Sequence, residues 1–175
     1  MTVELRRVRE GEAAQLRELR LRALRDAPEA FADSFEDGRA QPPERWADWT
    51  AAGAAAKTLV TVVAVDGDRW LGMVVGRLLA DAPGTAWLEA LWVDPSARRA
   101  GLGSRLIEAV AAWSRESGAA SLELSVTVGN DAAAALYAHA GFAETGRRRP
   151  LPADPSRTEV FLSRRIAPAP ADGRG

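Results

Sequence analysis

The alternation of polar and apolar positions changes period several times along the chain, and each change marks an element. Val3 to Val8 alternates as a half-buried strand does. After Glu10-Gly11-Glu12 the period lengthens, and Ala14, Leu16, Leu19, Leu21 and Leu24 supply one side of a helix. Ala27-Pro28 leads into an acidic segment, Pro28 to Gly38, that contains Phe31 and Phe35. Pro42-Pro43 opens a second helix near Glu44, carrying Trp46 and Trp49, and Gly53 in the small-residue run Ala51 to Ala56 points to its end. Thr58 to Val65 is a β-branched strand, Asp66-Gly67-Asp68 a hairpin turn, and Trp70 to Leu79 the returning partner. Gly72 and Gly76 within it mark a bulge or a close approach. A turn over Asp81 to Thr85 leads to a buried strand, Trp87 to Val93, closed by Asp94-Pro95-Ser96. The pattern predicts an antiparallel meander of these strands.

From Ser104 onward Leu106, Ile107, Val110, Ala111 and Ala112 recur at helical spacing until Gly118. Ser121 to Val126 alternates again. A strand, a helix and a strand in succession favour a parallel pair, here Trp87 to Val93 beside Ser121 to Val126. Asn130 can cap a helix over Asp131 to Ala140, which Gly141 ends, and residues 144–150 and 158–162 read as a closing hairpin around a proline-rich loop. The fold class is α/β: a mixed, mostly antiparallel twisted sheet with helices on both faces and a central parallel strand pair. A length of 175 residues argues for one domain. It is placed at 1–165, with 166–175, rich in Pro, Ala and Gly, expected to be a disordered tail.

Charge and composition mainly exclude. The net charge of −1 offers no basic field for nucleic acid. The absence of cysteine removes disulfides, thiolate nucleophiles and zinc-thiolate sites, and one histidine cannot assemble a metal site, so no metal is expected. No apolar run approaches the ~18 residues of a membrane span, and the first residues lack a signal-peptide core, so the expected setting is cytoplasmic, without a membrane partner.

The stretch between the central strand and its helix carries chemistry. The first turn of a helix has unpaired N–H groups and a partial positive charge, which suit phosphate oxygens. Gly101 and Gly103 let the backbone approach a ligand closely, and Arg98 and Arg99 place guanidinium charge beside it. A dinucleotide fingerprint wants a third Gly or Ala where Leu106 stands, and a triphosphate loop wants Gly-Lys-Ser/Thr, which Lys57 does not provide. A phosphorylated cofactor of another kind is predicted.

Arg98-x-x-Gly101-x-Gly103 after Leu91-Trp92-Val93 resembles the acyl-CoA motif of the GNAT N-acetyltransferases. Asn130-x-x-Ala133-x-x-Leu136-Tyr137-x-x-x-Gly141-Phe142 resembles that family's next motif, in the right order. The resemblance runs from the first strand to Leu162 and is specific only at these two blocks. It implies acetyl-CoA as acyl donor and direct transfer to a primary amine of a small molecule or peptide. It further implies that backbone groups of Leu91, Trp92 and Val93 hold the pantetheine arm and acyl carbonyl. Arg98, Arg99, Ala100, Gly101, Leu102, Gly103 and Ser104 would bind the phosphates, with Asn130 a further contact, and Tyr137 would protonate the leaving thiolate.

Glu89, taken by strand alternation to lie on the same side as Leu91 and Val93, is the candidate base for the amine. Each role has a plainer competitor. Glu89 could pair with an arginine, Tyr137 could be a packed aromatic, and Asn130 could only cap its helix. In the family the region of Phe31, Phe35, Trp46 and Trp49 walls the acceptor site, yet these aromatics are commonly used to bury helices. The acids Asp26, Glu29, Asp33, Glu36 and Asp37 could attract a cationic amine or form a solvated face. Arg147, Arg148 and Arg149 could bind an anion or blunt a sheet edge. The competing function is a non-catalytic acyl-CoA-binding sensor with the same fold, and homodimerisation is left open.

Overall fold

The computed structural model describes residues 2–152 and 154–166. The strands are β1 (Glu4–Arg7), β2 (Leu59–Asp66), β3 (Arg69–Leu78), β4 (Thr85–Val93), β5 (Ser121–Thr127), β6 (Ala143–Leu151) and β7 (Asp154–Arg165). The helices are α1 (Ala13–Asp26), α2 (Phe35–Ala40), α3 (Pro43–Ala55), α4 (Leu102–Glu116) and α5 (Asp131–His139). One sheet holds the strands in the order β1-β2-β3-β4-β5-β7-β6. Every pairing is antiparallel except β4 with β5, so the expected fold class is the observed one.

Strand side chains alternate between two faces, and each face of the sheet has its own apolar core. Val62, Leu71, Val74, Ala86 and Leu88 pack with Leu106, Ile107 and Val110 of α4. Val63, Val65, Met73, Val75 and Trp92 pack on the opposite face with Leu16, Leu19 and Ala23 of α1. The glycines of β3 serve the first core. A Cβ on Gly76 would meet Val110 Cγ1 at 2.7 Å, and one on Gly72 would meet the Trp92 carbonyl at 2.9 Å. Close approach accounts for Gly76, while Gly72 combines close approach with a bulge, since Leu71 beside it is an extra residue between the pairs Ala64–Gly72 and Val65–Trp70.

α3 ends two residues after Gly53, inside the expected run; Gly53 itself is helical and closely faces Thr61, and Ala56 takes the left-handed terminal position at φ 51°. Within the acidic segment the short helix α2 was not foreseen. Ser34 and Asp37 cap it reciprocally, each accepting the other's backbone N–H at 3.1 Å. At the far edge, β6 presents exposed residues from Ala143 to Pro150, and its arginines pair with Glu123, Glu144 and Glu159. Ile166 is 3% exposed and donates its N–H to Ala120 O at 2.9 Å, joining the core. The rest of the expected tail, 167–175, lies outside the described residues. No described helix is long and apolar enough to cross a membrane.

Candidate active site

β4 and β5 pair only where Thr85, Ala86 and Trp87 face Ser121, Leu122 and Glu123. Beyond Trp87 and Glu123 the strands part, and a cleft of about 830 Å³ opens, lined by Leu88 to Leu91 on one side and Ser125 to Thr127 on the other. Such a gap at the carboxyl ends of parallel strands is the usual place for a ligand.

A bulge shapes the β4 wall. Val75 faces Glu89 and Met73 faces Trp92, so Val74 alone stands opposite both Ala90 and Leu91. Ala90 accommodates the extra residue at φ 55°, a left-handed conformation unusual for alanine. The bulge reverses the parity of the strand. Leu91 and Val93 pack with the α4 core, whereas Glu89 pairs in register with Val75 of the α1 core. Glu89 is therefore on the opposite face from Leu91 and Val93, contrary to the alternation expected from sequence. Its carboxylate accepts a hydrogen bond from Arg77 at 2.8 Å and still lines the cleft. Ala90 and Leu91 have no one-to-one partner in β3 and none in β5, which leaves backbone groups free at the cleft wall.

After β4 the chain makes a short turn over Pro95–Ala97 and enters the glycine loop. Gly101 begins α4 at φ 72° and has open space around it, so its role is the backbone angle. No side chain caps α4, no acid stands in its first turn, and its first backbone bond runs from the Arg105 N–H to Gly101 O. The N–H groups of Leu102, Gly103 and Ser104 thus emerge without an acceptor among the described residues, as phosphate groups require. Leu102, 3% exposed, pins the loop into the core. A Cβ on Gly103 would meet Leu136 Cδ2 of α5 at 3.1 Å, so the two sequence blocks touch here. Ala100 and Arg99 are exposed, and Arg99 holds φ 65°.

Tyr137 of α5 is 9% exposed, packs edge-on against Phe142 with ring centroids 5.9 Å apart, and lines the cleft. Burial pushes its hydroxyl up to about 12. Asn130 accepts the Ala133 N–H at 3.2 Å, so the capping role is real, and the residue lines the cleft as well.

Residues 15–142 match the family described as Acetyltransferase (GNAT). The chain belongs to the GNAT family. A mycothiol acetyltransferase of Beutenbergia cavernae is 35% identical over 124 residues, which is 71% of this chain and 39% of that protein. This chain thus spans about two fifths of the length of that relative. A GNAT acetyltransferase from Streptococcus pneumoniae superposes with a TM-score of 0.82 at 19% identity, covering 95% of this chain and all (100%) of the other. The structure of yncA from Salmonella typhimurium with its cofactor acetyl-CoA superposes at 0.78 with 16% identity and 100% of both chains covered. At such identities these superpositions speak to the fold.

Within this GNAT frame the structure gives Asp26 a role other than the amine attraction or solvated face expected of it, and brings in Arg22. Asp26 at the end of α1 accepts the Trp92 Nε1–H at 2.9 Å and an ion pair from Arg98, whose Nε donates to Val93 O at 2.9 Å. One turn earlier Arg22 donates to Asp94 at 2.8 Å and to Trp70 O at 2.7 Å. The guanidinium of Arg98 is therefore committed to shaping the loop, and Arg99 is the arginine left facing outward. No local pattern announces Asp26, because its partners lie 66 and 72 residues away in sequence. Other acids of that run are also engaged: Asp33 with Arg20, Glu36 with Arg39, and Asp37 with Ser34. Trp46 and Trp49 stack at 5.4 Å and both line the cleft, so they bury α3 and wall the site together.

Proposed function

We propose that the protein is an N-acetyltransferase whose residues 1–165 act as one catalytic domain, moving an acetyl group from acetyl-CoA directly to a primary amine of a small molecule or peptide. The observation that carries this reading is the meeting, in one cleft, of the unpaired backbone of Leu91, the Glu89 carboxylate and the Tyr137 hydroxyl. Acetyl-CoA supplies an acetyl group already activated as a thioester.

The uncapped start of α4, with Arg99 beside it, binds the phosphate groups. Trp92 and Val93 fix the strand end below that loop through Asp26 and Arg98. Backbone N–H groups at the bulge polarise the acyl carbonyl as it gains negative charge. Glu89, once the amine approaches, accepts its proton directly or through water, with Arg77 holding the carboxylate in place. Tyr137 stays protonated through neutral pH and gives its proton to the departing sulfur. Burial acts on a thiolate in the same direction as on the phenol, which keeps the phenol an effective acid there. Asn130 fixes the start of α5 and thereby the height of Tyr137.

The test is the melting temperature with and without acetyl-CoA, CoA, ATP and NAD. At about 100-fold excess over Kd a ligand of the native state adds roughly 2.7 kcal/mol, a rise of about 5 to 10 °C for this size. A rise with acetyl-CoA and CoA alone is expected, followed by thiol release on addition of amines. A rise with ATP or NAD and none with CoA would overturn the reading.

A further inference from the structure

Two residues that line the cleft each carry a buried N–H donor that finds no acceptor among the described residues. Arg20, on α1, is 7% exposed and lines the cleft. Its Nη2 reaches Asp33 across a long 3.3 Å, and that carboxylate is itself 67% exposed. Its Nη1 meets no acceptor. Trp46, on α3 and 5% exposed, lines the same cleft, and its Nε1 also lacks an acceptor. Of the three other arginines lining the cleft, Arg77 is matched by Glu89 and Arg149 by Glu159, while Arg45 is exposed to solvent.

A buried guanidinium with one long, exposed partner is an expensive arrangement, and an orphaned indole N–H in a residue lining the same cleft adds to the cost. Burial lowers the Arg20 guanidinium from its usual value, and the charges of Asp33 and Glu89 oppose that shift. What is missing is an acceptor with negative charge and two oxygens in one plane, able to take the guanidinium fork. Phe31, which covers the guanidinium at 4.4 Å, and Asp33 both belong to the segment between α1 and α2. An entering carboxylate replaces Asp33 at the surface end of the site and leaves α1 and α3 where they are.

Arg20 and Glu89 line the same cleft, so this anion site shares it with the proposed base. We infer that the acceptor is an amine carrying a carboxylate on the same small skeleton, in the manner of a free amino acid, with Arg20 binding the carboxylate and Trp46 Nε1 donating to it. The inference rests on the N-acetyltransferase reading and narrows its acceptor. A peptide N-terminus, which has an amide where the amino acid has its carboxylate, fits this pair of donors poorly.

The experiment measures thiol release from acetyl-CoA with free amino acids and with their carboxamides, on the full chain. The amide withdraws electrons more strongly and leaves more of its amine neutral, so reactivity alone favours the carboxamide. A site built on Arg20 should reverse that, with kcat/KM for the acids higher by about 10- to 100-fold, as a charged hydrogen-bonded pair would give. Arg20→Met should collapse the ratio to one or below through a rise in KM for the acids, while the melting shift with CoA remains as a check of folding. If Arg20→Met does not fold, Arg20→Lys, which keeps the charge and loses the fork, should give an intermediate ratio. Carboxamides turned over as well as acids, or a preference that the substitution at Arg20 leaves undiminished, would overturn the inference and leave the transferase reading standing. A CoA shift with no thiol release from any amine would remove the transferase reading and the inference together.

Discussion

Burial raises the Tyr137 phenol from its ordinary value near 10 to about 12, and this has two consequences that separate chemistry from stability. The hydroxyl is a proton donor at every pH near neutrality, so Tyr137→Phe should lower turnover by about 100-fold with little change in CoA affinity. Steady-state kinetics beside a CoA titration check this, and equal turnover would return the residue to packing alone. On the stability side the folded pKa lies above the unfolded one. Below pH 10 the phenol is protonated in both states, and its stabilising contribution is fully present. As pH rises toward 12 the unfolded chain ionises first, and that contribution, roughly 2 to 3 kcal/mol, is lost. Tyr137 is the chain's one tyrosine, so its near-ultraviolet titration is unambiguous, and alkaline unfolding should be less steep in Tyr137→Phe. Glu89 is paired with Arg77, which holds its carboxylate in position at the cleft wall.

Among the elements, α1 does the most for the site, because its last turns hold the strand end and the loop of the CoA side at once. Asp26→Asn keeps the size of the side chain and removes the charge that holds Arg98. Loss of a partly exposed charged pair should cost about 1 kcal/mol of stability and raise the Kd for CoA about tenfold, read by melting and by titration. An unchanged CoA affinity would mean that Arg98 does not shape the loop.

How legible these elements were in sequence differs for physical reasons. The long periodic segments, from Thr58 to Val65 and from Leu102 to Glu116, show themselves because each buries one face. Gly101, Gly118 and Gly141 mark turns of the backbone that only glycine adopts readily, and all three have positive φ. The bulge in β4 gave no such sign, since an alanine at φ 55° looks like any alanine, and Glu89 was assigned to the wrong face in consequence. The helix α2 carries a capping signature, Ser34-x-x-Asp37, but its six residues are too few to establish a period. Arg20 stayed hidden, and Asp26 and Trp46 were named without their particular roles, because what distinguishes them is a partner distant in sequence, or the lack of one among the described residues.

At the scale of the molecule the sheet is a frame for two cores, and α4 presses closely on β3. Gly76→Val would drive a side chain into Val110 and Trp113, so a loss of about 1 to 3 kcal/mol is expected from thermal or denaturant unfolding. A neutral result would mean that α4 moves away from β3 at little cost. The helices on the two faces do not share this point, which leaves α1 and its contacts with the CoA loop intact in such a variant.

The parting of β4 and β5 has one more consequence. A continuous sheet has two edges, but a sheet that opens along its middle acquires two more, each with amides that face neither neighbour. These inner edges, Leu88 to Val93 and Leu124 to Thr127, should exchange their hydrogens for deuterium faster than the flanking strands β3 and β7, although they lie at the centre of the fold. A donor arm laid into the gap would act as a splint, hydrogen-bonding to the open edge as an additional strand does. Exchange followed by mass spectrometry should therefore show β4 slowing when CoA is added, while the amides of Thr85 to Trp87, already clasped to β5, exchange as before.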